Sequence, residues 1–255
     1  MLHLRESGDP SWPGLVLLHG GGLSSRQWEP QFERLGDFHL LAPDLPGHGH
    51  SAPTHPFDLD GAAAAVAEAI RARVPAGKAH VAGLSLGGAV ALALLRVAPE
   101  VVDRPMVTGT AAGLSRPLGN LSLSSLWMLK LYRPEQLVEL TIRQQGIPEQ
   151  YRSLVHDDLL AGSTPAFSAG LIRALMAMRL PVAYRGPVLV CVGGKETITA
   201  RQAARKLARV LPGARGMIVP GRGHVWDLQD PDLFAATVRA WTADRPLPAA
   251  LQPLG

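Results

Sequence analysis

Gly83-Leu84-Ser85-Leu86-Gly87 is the stretch on which the reading of this chain turns. It follows a short apolar run, Ala79-His-Val-Ala82, and opens a helical pattern that continues from Leu86 to Val97. A serine on so tight a strand-to-helix turn projects its hydroxyl above the carboxyl end of the strand, and the flanking glycines leave room for the strained backbone. Gly88 adds a further small residue where the helix must pack close. Five residues of this kind arise easily by chance in a chain with 27 glycines. Their place between a strand and a helix is what gives them weight.

Outward from that turn the same alternation repeats. Leu15-Val-Leu-Leu18, Phe38-His-Leu-Leu41 and Val188-Leu-Val-Cys-Val192 are short runs, apolar on both faces, as strands buried inside a parallel sheet are. Helical segments separate them: Arg26 to Leu35, Leu59 to Arg73, Thr199 to Val210, and Pro231 to Trp241, the last with Asp230 as N-cap and proline at its first position. The pattern predicts an α/β fold, a doubly wound and mostly parallel sheet with helices on both faces. Leu2 to Glu6 adds an antiparallel edge strand. Between about Ser115 and Leu180 the alternation stops. That stretch carries four helical segments, near 122–132, 134–145, 148–161 and 165–179, three of them with proline in the first turn, where its missing N–H costs nothing. The expected organisation is a core of residues 1–114 and 181–243, an all-helical cap over one end of the sheet at 115–180, and a tail at 244–255. Three prolines and no periodicity predict that the tail is frayed.

Composition narrows the function. With 255 residues, 47% hydrophobic and 18% charged, the chain buries a sizeable core and is not disordered. No apolar run reaches the roughly 18 residues of a membrane span; Ala62 to Ile70 is already broken by Glu68. The first six residues lack the basic start and apolar stretch of a signal peptide. Cys191 is the single cysteine, which excludes an internal disulfide framework and a cysteine-built zinc site. A soluble cytoplasmic protein without a membrane partner is the expectation. The net charge of +4 raises the question of nucleic acid. The basic residues are scattered, and the one stripe, Arg201, Arg205 and Arg209, is the solvated face of a helix with no aromatics to stack bases. Nucleic-acid binding is not expected.

Serine is a poor nucleophile unless a base takes its proton, so a histidine is required downstream. His224, in Gly221-Arg-Gly-His224, follows the strand-like Gly216 to Val219 and falls on a loop at the same sheet edge as Ser85. His3, His39 and His80 lie inside strand-like runs, and His156 lies on a helix of the cap. The base needs a carboxylate to fix its tautomer. Gly193-Gly-Lys-Glu196 directly follows the run ending at Val192, which puts Glu196 at a strand's carboxyl end. Asp103 precedes its strand, and Asp227 is too close in sequence to His224. A tetrahedral oxyanion needs two backbone N–H donors. Leu86, after the serine, is one, and the glycines of His19-Gly20-Gly21-Gly22 offer the other, with Gly21 the first choice. Asp44 with His48, His50 and His55 could be read as metal ligands, but the spacing lacks the continuation of a dinuclear hydrolase, and no metal is expected. No dinucleotide or phosphate-loop fingerprint occurs, so no cofactor is expected.

Taken together, His19-Gly-Gly-Gly22 with Trp28 beyond it, Asp44-Leu-Pro-Gly-His-Gly-His-Ser51, Gly83-Leu-Ser-Leu-Gly-Gly88, Gly193-Gly-Lys-Glu196 and Gly223-His224 resemble the α/β-hydrolase superfamily, in its small cap-bearing, esterase-like branch. The resemblance implies Ser85 as nucleophile, His224 as base, Glu196 as acid and an oxyanion hole of Gly21 and Leu86. Glu196 departs from the aspartate usual in that branch. Aspartate where Ser85 stands would mark a haloalkane dehalogenase or epoxide hydrolase, and Gly-Gly-Pro-Gly after the histidine would mark a prolyl aminopeptidase; neither is present. The implied activity is cleavage of a small to medium apolar ester through an acyl-enzyme. A C–C bond hydrolase, thioesterase or lactonase on the same triad remains open, as does a non-catalytic ligand-binding member of the fold. The partner is a small molecule, and no feature specifies an oligomeric state. Trp127, Met128, Leu131, Phe167, Leu171, Leu175, Met176 and Met178 are the cap residues expected to line an apolar substrate pocket.

Overall fold

The computed structural model describes residues 2–51, 57–162 and 164–255; His55 therefore lies outside the described residues. Runs that are apolar on both faces become the inner strands of one eight-stranded sheet. Its strands are β1 (Leu4–Ser7), β2 (Gly14–Leu18), β3 (His39–Pro43), β4 (Ala79–Leu84), β5 (Val102–Thr108), β6 (Val188–Gly193), β7 (Ala214–Val219) and β8 (Gln252–Pro253), in the order β1-β3-β2-β4-β5-β6-β7-β8. β1 and β8 pair antiparallel at the two edges and the other neighbours are parallel. Every residue of β2, β3, β4 and β6 is buried, which explains why no alternation marks them.

Around the sheet lie α1 (Glu29–Arg34), α2 (Leu59–Arg73) and α3 (Leu86–Val97), and, after the insertion described below, α8 (Ile198–Val210), α9 (Trp226–Gln229) and α10 (Pro231–Thr242). The apolar side chains form two clusters on opposite faces. One gathers α2 and α3 with Val16, Leu18 and Val190; the other gathers Trp28, Trp226 and Phe234 with Leu15, Leu17 and Leu189. Successive residues of one strand, such as Leu17 and Leu18, thus feed opposite clusters, as the period-two geometry of a strand requires. Asp230 caps α10 as the sequence suggests, accepting from Leu233 N, while α8 starts one residue earlier than expected, with Thr197 accepting from Ala200 N.

Between β5 and β6 the chain runs through α4 (Arg116–Ser125), α5 (Pro134–Gln145), α6 (Arg152–Gly162) and α7 (Pro165–Ala177), with no strand among the described residues. The first of these corrects the expected segment at 122–132. The α-helix starts at Arg116, with Pro117 in its first turn, and tightens after Ser125 into a 3-10 stretch, Leu126–Leu131. The expectation of a frayed tail is also corrected. Leu251 is buried, Gln252 and Pro253 pair with Ile218 and Met217, and Leu254 N donates to Gly216 O. An edge strand needs hydrogen bonds on one side only, so proline is tolerated there and two residues leave no periodic signal.

Candidate active site

Ser85 sits between β4 and α3 with φ 53° and ψ −110°, a left-handed conformation that an L-residue with a side chain adopts only under strain, at a cost of about 1–3 kcal/mol. The sequence folds this way because its glycines permit close approach. A Cβ on Gly83 would stand 2.7 Å from Gly88 N, and one on Gly87 would stand 2.7 Å from His19 O. Any larger residue would push α3 off β2 and β4. Ser85 N donates to Thr108 O at 2.9 Å, and Thr110 Oγ1 donates to Ser85 O at 3.3 Å, so the end of β5 holds the turn. Ser85 is half-buried while both of its neighbours are buried. Its hydroxyl makes no hydrogen bond among the described residues.

His224 and Glu196 are brought together. His224 Nδ1 lies 2.7 Å from Glu196 Oε2 and donates to it, while Gly193 N donates to Glu196 Oε1 at 3.0 Å. The glutamate chain is thus folded back over its own turn, whose Glu196 N also donates to Gly193 O. That retreat accommodates the extra methylene. Both carboxylate oxygens are satisfied, the Glu196 side chain is 5% exposed, and the second ring nitrogen of His224 has no hydrogen-bond partner among the described residues. Ser85 and this pair share the loop leaving β5. Ser85 bonds Thr108, and His224 abuts Gly109, where a Cβ would come within 2.7 Å of His224 Nδ1 and 3.3 Å of Glu196 Oε1. Gly109 has φ 58°. Gly109→Ala is expected to lower kcat by about 100-fold and stability by about 1–3 kcal/mol, since strain and collision add and a displacement near 1 Å already costs that much rate. Steady-state kinetics with thermal unfolding checks it; an unchanged kcat would show that the contact is slack.

Thr108 and Trp226 were not singled out by the sequence. Trp226 Nε1 donates to Thr108 Oγ1 at 2.7 Å, in the buried interior, and so ties the histidine loop to the β5 end that holds Ser85. Nothing local marks this pair, because the two residues are 118 positions apart.

The glycine loop after β2 is held in one orientation. The Gly20 carbonyl accepts from His19 Nδ1 at 2.8 Å and from Leu23 N at 3.2 Å. A trans peptide then aims Gly21 N–H to the opposite side. Leu86 is a near neighbour of Gly21, its Cβ 3.6 Å from where a Gly21 Cβ would be. Among the described residues neither Gly21 N–H nor Leu86 N–H has a hydrogen-bond partner. His19 can serve this purpose only when neutral. Its Nε2 accepts from Leu45 N at 2.9 Å, and burial, aided by neighbouring His48, holds the imidazole down to about 3. Since the folded value lies below the unfolded one, unfolded chains take the proton first, and this contribution to stability is lost as pH falls from about 6.5 towards 3. The stability advantage of the wild type over His19→Gln should therefore shrink by about 3 kcal/mol between pH 7 and pH 4, measured by urea titration. A pH-independent difference would contradict it. Asp227 titrates with the opposite sign, because burial pushes its carboxyl up to about 6, and comparing the two proteins cancels its effect.

The eight residues expected to form an apolar pocket are only partly gathered. Leu171 lies directly over the glycine loop, its Cδ1 2.9 Å from a Gly21 Cβ position, and Phe167 packs beside Gly22 and 4.9 Å from the His48 ring. Leu175 and Met178 pack on the core, and Met176 fills the space beside Gly119 of α4. Trp127, Met128 and Leu131 correct the expectation: they are 60%, 47% and 68% exposed. They lie on the 3-10 stretch, none of whose residues is buried. An open cleft of about 1190 Å³ is lined instead by Gly109, Thr110, Leu114, Gln145, Glu196 and His224. None of the eight borders it.

Asp44, His48 and His50 serve the loop itself. The Asp44 carboxylate accepts from Ser25 N, from His50 N and from His3 Nδ1. No group of three metal-ligating side chains occurs among the described residues.

Comparison with known proteins now bears on this geometry. A model of the alpha/beta hydrolase family matches residues 15–237. A pimeloyl-(acyl-carrier protein) methyl ester esterase from Nitrosomonas europaea is 33% identical over 251 residues, spanning 92% of this chain and 97% of that protein. Among solved structures, the enol-lactonase from Burkholderia xenovorans LB400 superposes with a TM-score of 0.79 at 23% identity, covering 95% of this chain and 96% of that one. A thermophilic esterase from Thermogutta terrifontis gives 0.80 at 22%, covering 95% and 93%. At those identities the two structures speak for the fold.

Proposed function

This chain belongs to the alpha/beta hydrolase family, and from that premise we propose that it is a serine carboxylesterase acting on small to medium apolar esters through an acyl-enzyme. Ser85 Oγ attacks the acyl carbon while His224 Nε2 takes its proton. Glu196 holds Nδ1–H and stabilises the imidazolium. The carbonyl oxygen, now an oxyanion, is received by Gly21 N–H and Leu86 N–H. Collapse breaks the acyl–oxygen bond, and the alcohol leaves with the proton from His224. Water then attacks the acyl-enzyme with His224 as base, which releases the acid and returns the proton to Ser85. The helical insertion acts as the cap, and Leu171 bounds the acyl group.

What supports this most is the strained Ser85 turn on the same β5 exit loop as the His224–Glu196 pair. An ester is favoured over the C–C substrate because the 33% identical relative is named for a methyl ester. The test is a panel of p-nitrophenyl esters of rising acyl length. Turnover with a burst of one p-nitrophenol per chain supports the reading. Hydrolysis of none, or hydrolysis without an acyl-enzyme, removes it.

A further inference from the structure

Behind the candidate site runs a chain of buried polar groups that the mechanism does not use. Gly20 N donates to Gln27 Oε1 at 2.9 Å, and Gln27 Nε2 donates to Asp227 Oδ2 at 2.7 Å. Gln27, Gln31 and Asp227 are all fully buried. Gln31 Nε2 donates to the Asp227 carbonyl at 3.1 Å and steadies that end. One end of the chain is the peptide preceding the Gly21 loop. The other is the first turn of α9, three residues past His224. The orientation of the Gln27 amide follows from its partners. A carboxylate only accepts, so Gln27 must turn its NH2 to Asp227 and its oxygen to Gly20 N–H.

A buried carboxyl is costly, and Asp227 Oδ1 has no partner among the described residues, so packing alone would be better served by leucine. The glycine loop, for its part, has no side chains of its own at residues 20–22 to anchor it. His19 fixes the Gly20 carbonyl and hence the peptide after Gly20; Gln27 fixes the Gly20 N–H and hence the peptide before it. Without the second bond the peptide before Gly20 loses its anchor, and the Gly20–Gly21 peptide that carries the Gly21 N–H is held from one side only, through its carbonyl.

We propose that Gln27 and Asp227 are positioning residues, a buried clamp that sets the oxyanion-binding loop in register with the histidine loop. Neither touches substrate. The clamp rests on the reading of Gly21 as an oxyanion donor and His224 as the base.

The experiment compares Gln27→Leu, Asp227→Leu, the double variant and Asp227→Asn on a p-nitrophenyl ester, with inhibition by a trifluoromethyl ketone that forms an oxyanionic hemiketal. Each leucine variant should lower kcat by about thirtyfold with KM within about threefold, because a misaligned donor weakens the transition state more than the bound ester. Affinity for the ketone should fall in step with kcat. The double variant should be no worse than the poorer single one, since both break one chain. Asp227→Asn keeps an acceptor for Gln27 Nε2 and should stay within about threefold of wild type. Should Asp227→Leu lose its near-ultraviolet circular dichroism, Gln27→Leu and Gln27→Met carry the comparison. A folded Gln27→Leu with wild-type kcat overturns the clamp, and so do multiplicative losses or an Asp227→Asn as poor as Asp227→Leu. If a fluorophosphonate does not label Ser85 in the wild type, the reading of the site fails. Labelling at Ser85 with kcat insensitive to Gln27 is failure of the clamp alone.

Discussion

Ser85→Ala is expected to lower kcat by about 10⁵-fold while leaving the fold and its stability unchanged. The size follows from the role: with the nucleophile gone, only binding and the oxyanion donors remain, and in comparable serine enzymes they retain a small residue of the rate. Stability should move by less than about 0.5 kcal/mol. The hydroxyl makes no hydrogen bond among the described residues, and alanine inherits the same φ of 53° with the same strain. A fluorophosphonate should add its mass to the wild type at Ser85 and add nothing to the variant. A variant retaining more than a tenth of the wild-type kcat would remove Ser85 from the mechanism and leave the family assignment untouched.

Glu196→Gln is expected to cost about 10³- to 10⁴-fold in kcat, by analogy with the loss of the orienting carboxylate in serine-protease triads. The geometry says why an isosteric change is so severe. Gly193 N–H is a fixed donor on one oxygen of the side chain, so the glutamine must keep its carbonyl there and turn its NH2 towards His224 Nδ1. Nδ1 must then accept, the ring proton moves to Nε2, and the nitrogen that should receive the Ser85 proton is already occupied. Glu196→Asp is expected to fall between the two, because the shorter chain cannot reach Gly193 N and His224 together. Rates of the three proteins across pH, with KM measured at each point, check the argument. A Glu196→Gln enzyme within tenfold of wild type would move the acid's role to another group.

The difference between what could be foreseen and what could not is visible in particular residues. Burial on both faces of the sheet makes β2 and β6 uninterrupted apolar runs, and β4 a run broken only by His80, so the α/β architecture was legible without any contact being known. Ser85, Glu196 and His224 could be named because each follows a strand at its carboxyl end, where a doubly wound sheet gathers its functional loops. The insertion was legible as helices but not as surfaces. Trp127, Met128 and Leu131 are as apolar as Leu171, yet they face outward while Leu171 lies over the glycine loop. A helical period reveals that a face is apolar and is silent on what covers it. The two-residue β8 carried no period at all.

By itself, then, the order of apolar runs, helices and turn glycines determined the sheet, its mostly parallel sense, the helical insertion and the chemistry that a serine on a strand-to-helix turn suggests. These are local properties, governed by side-chain period, backbone sterics and the short reach of a turn. The tertiary structure alone decided that Glu196 meets His224 while bonded back to Gly193, that Gly109 must stay a glycine beneath both, and that Gln27, bonded to Gly20, meets Asp227 from 200 positions away. Hydrogen bonds between distant segments depend on where whole strands and helices come to rest. That is set by the packing of the entire core, and no short window of the sequence contains it.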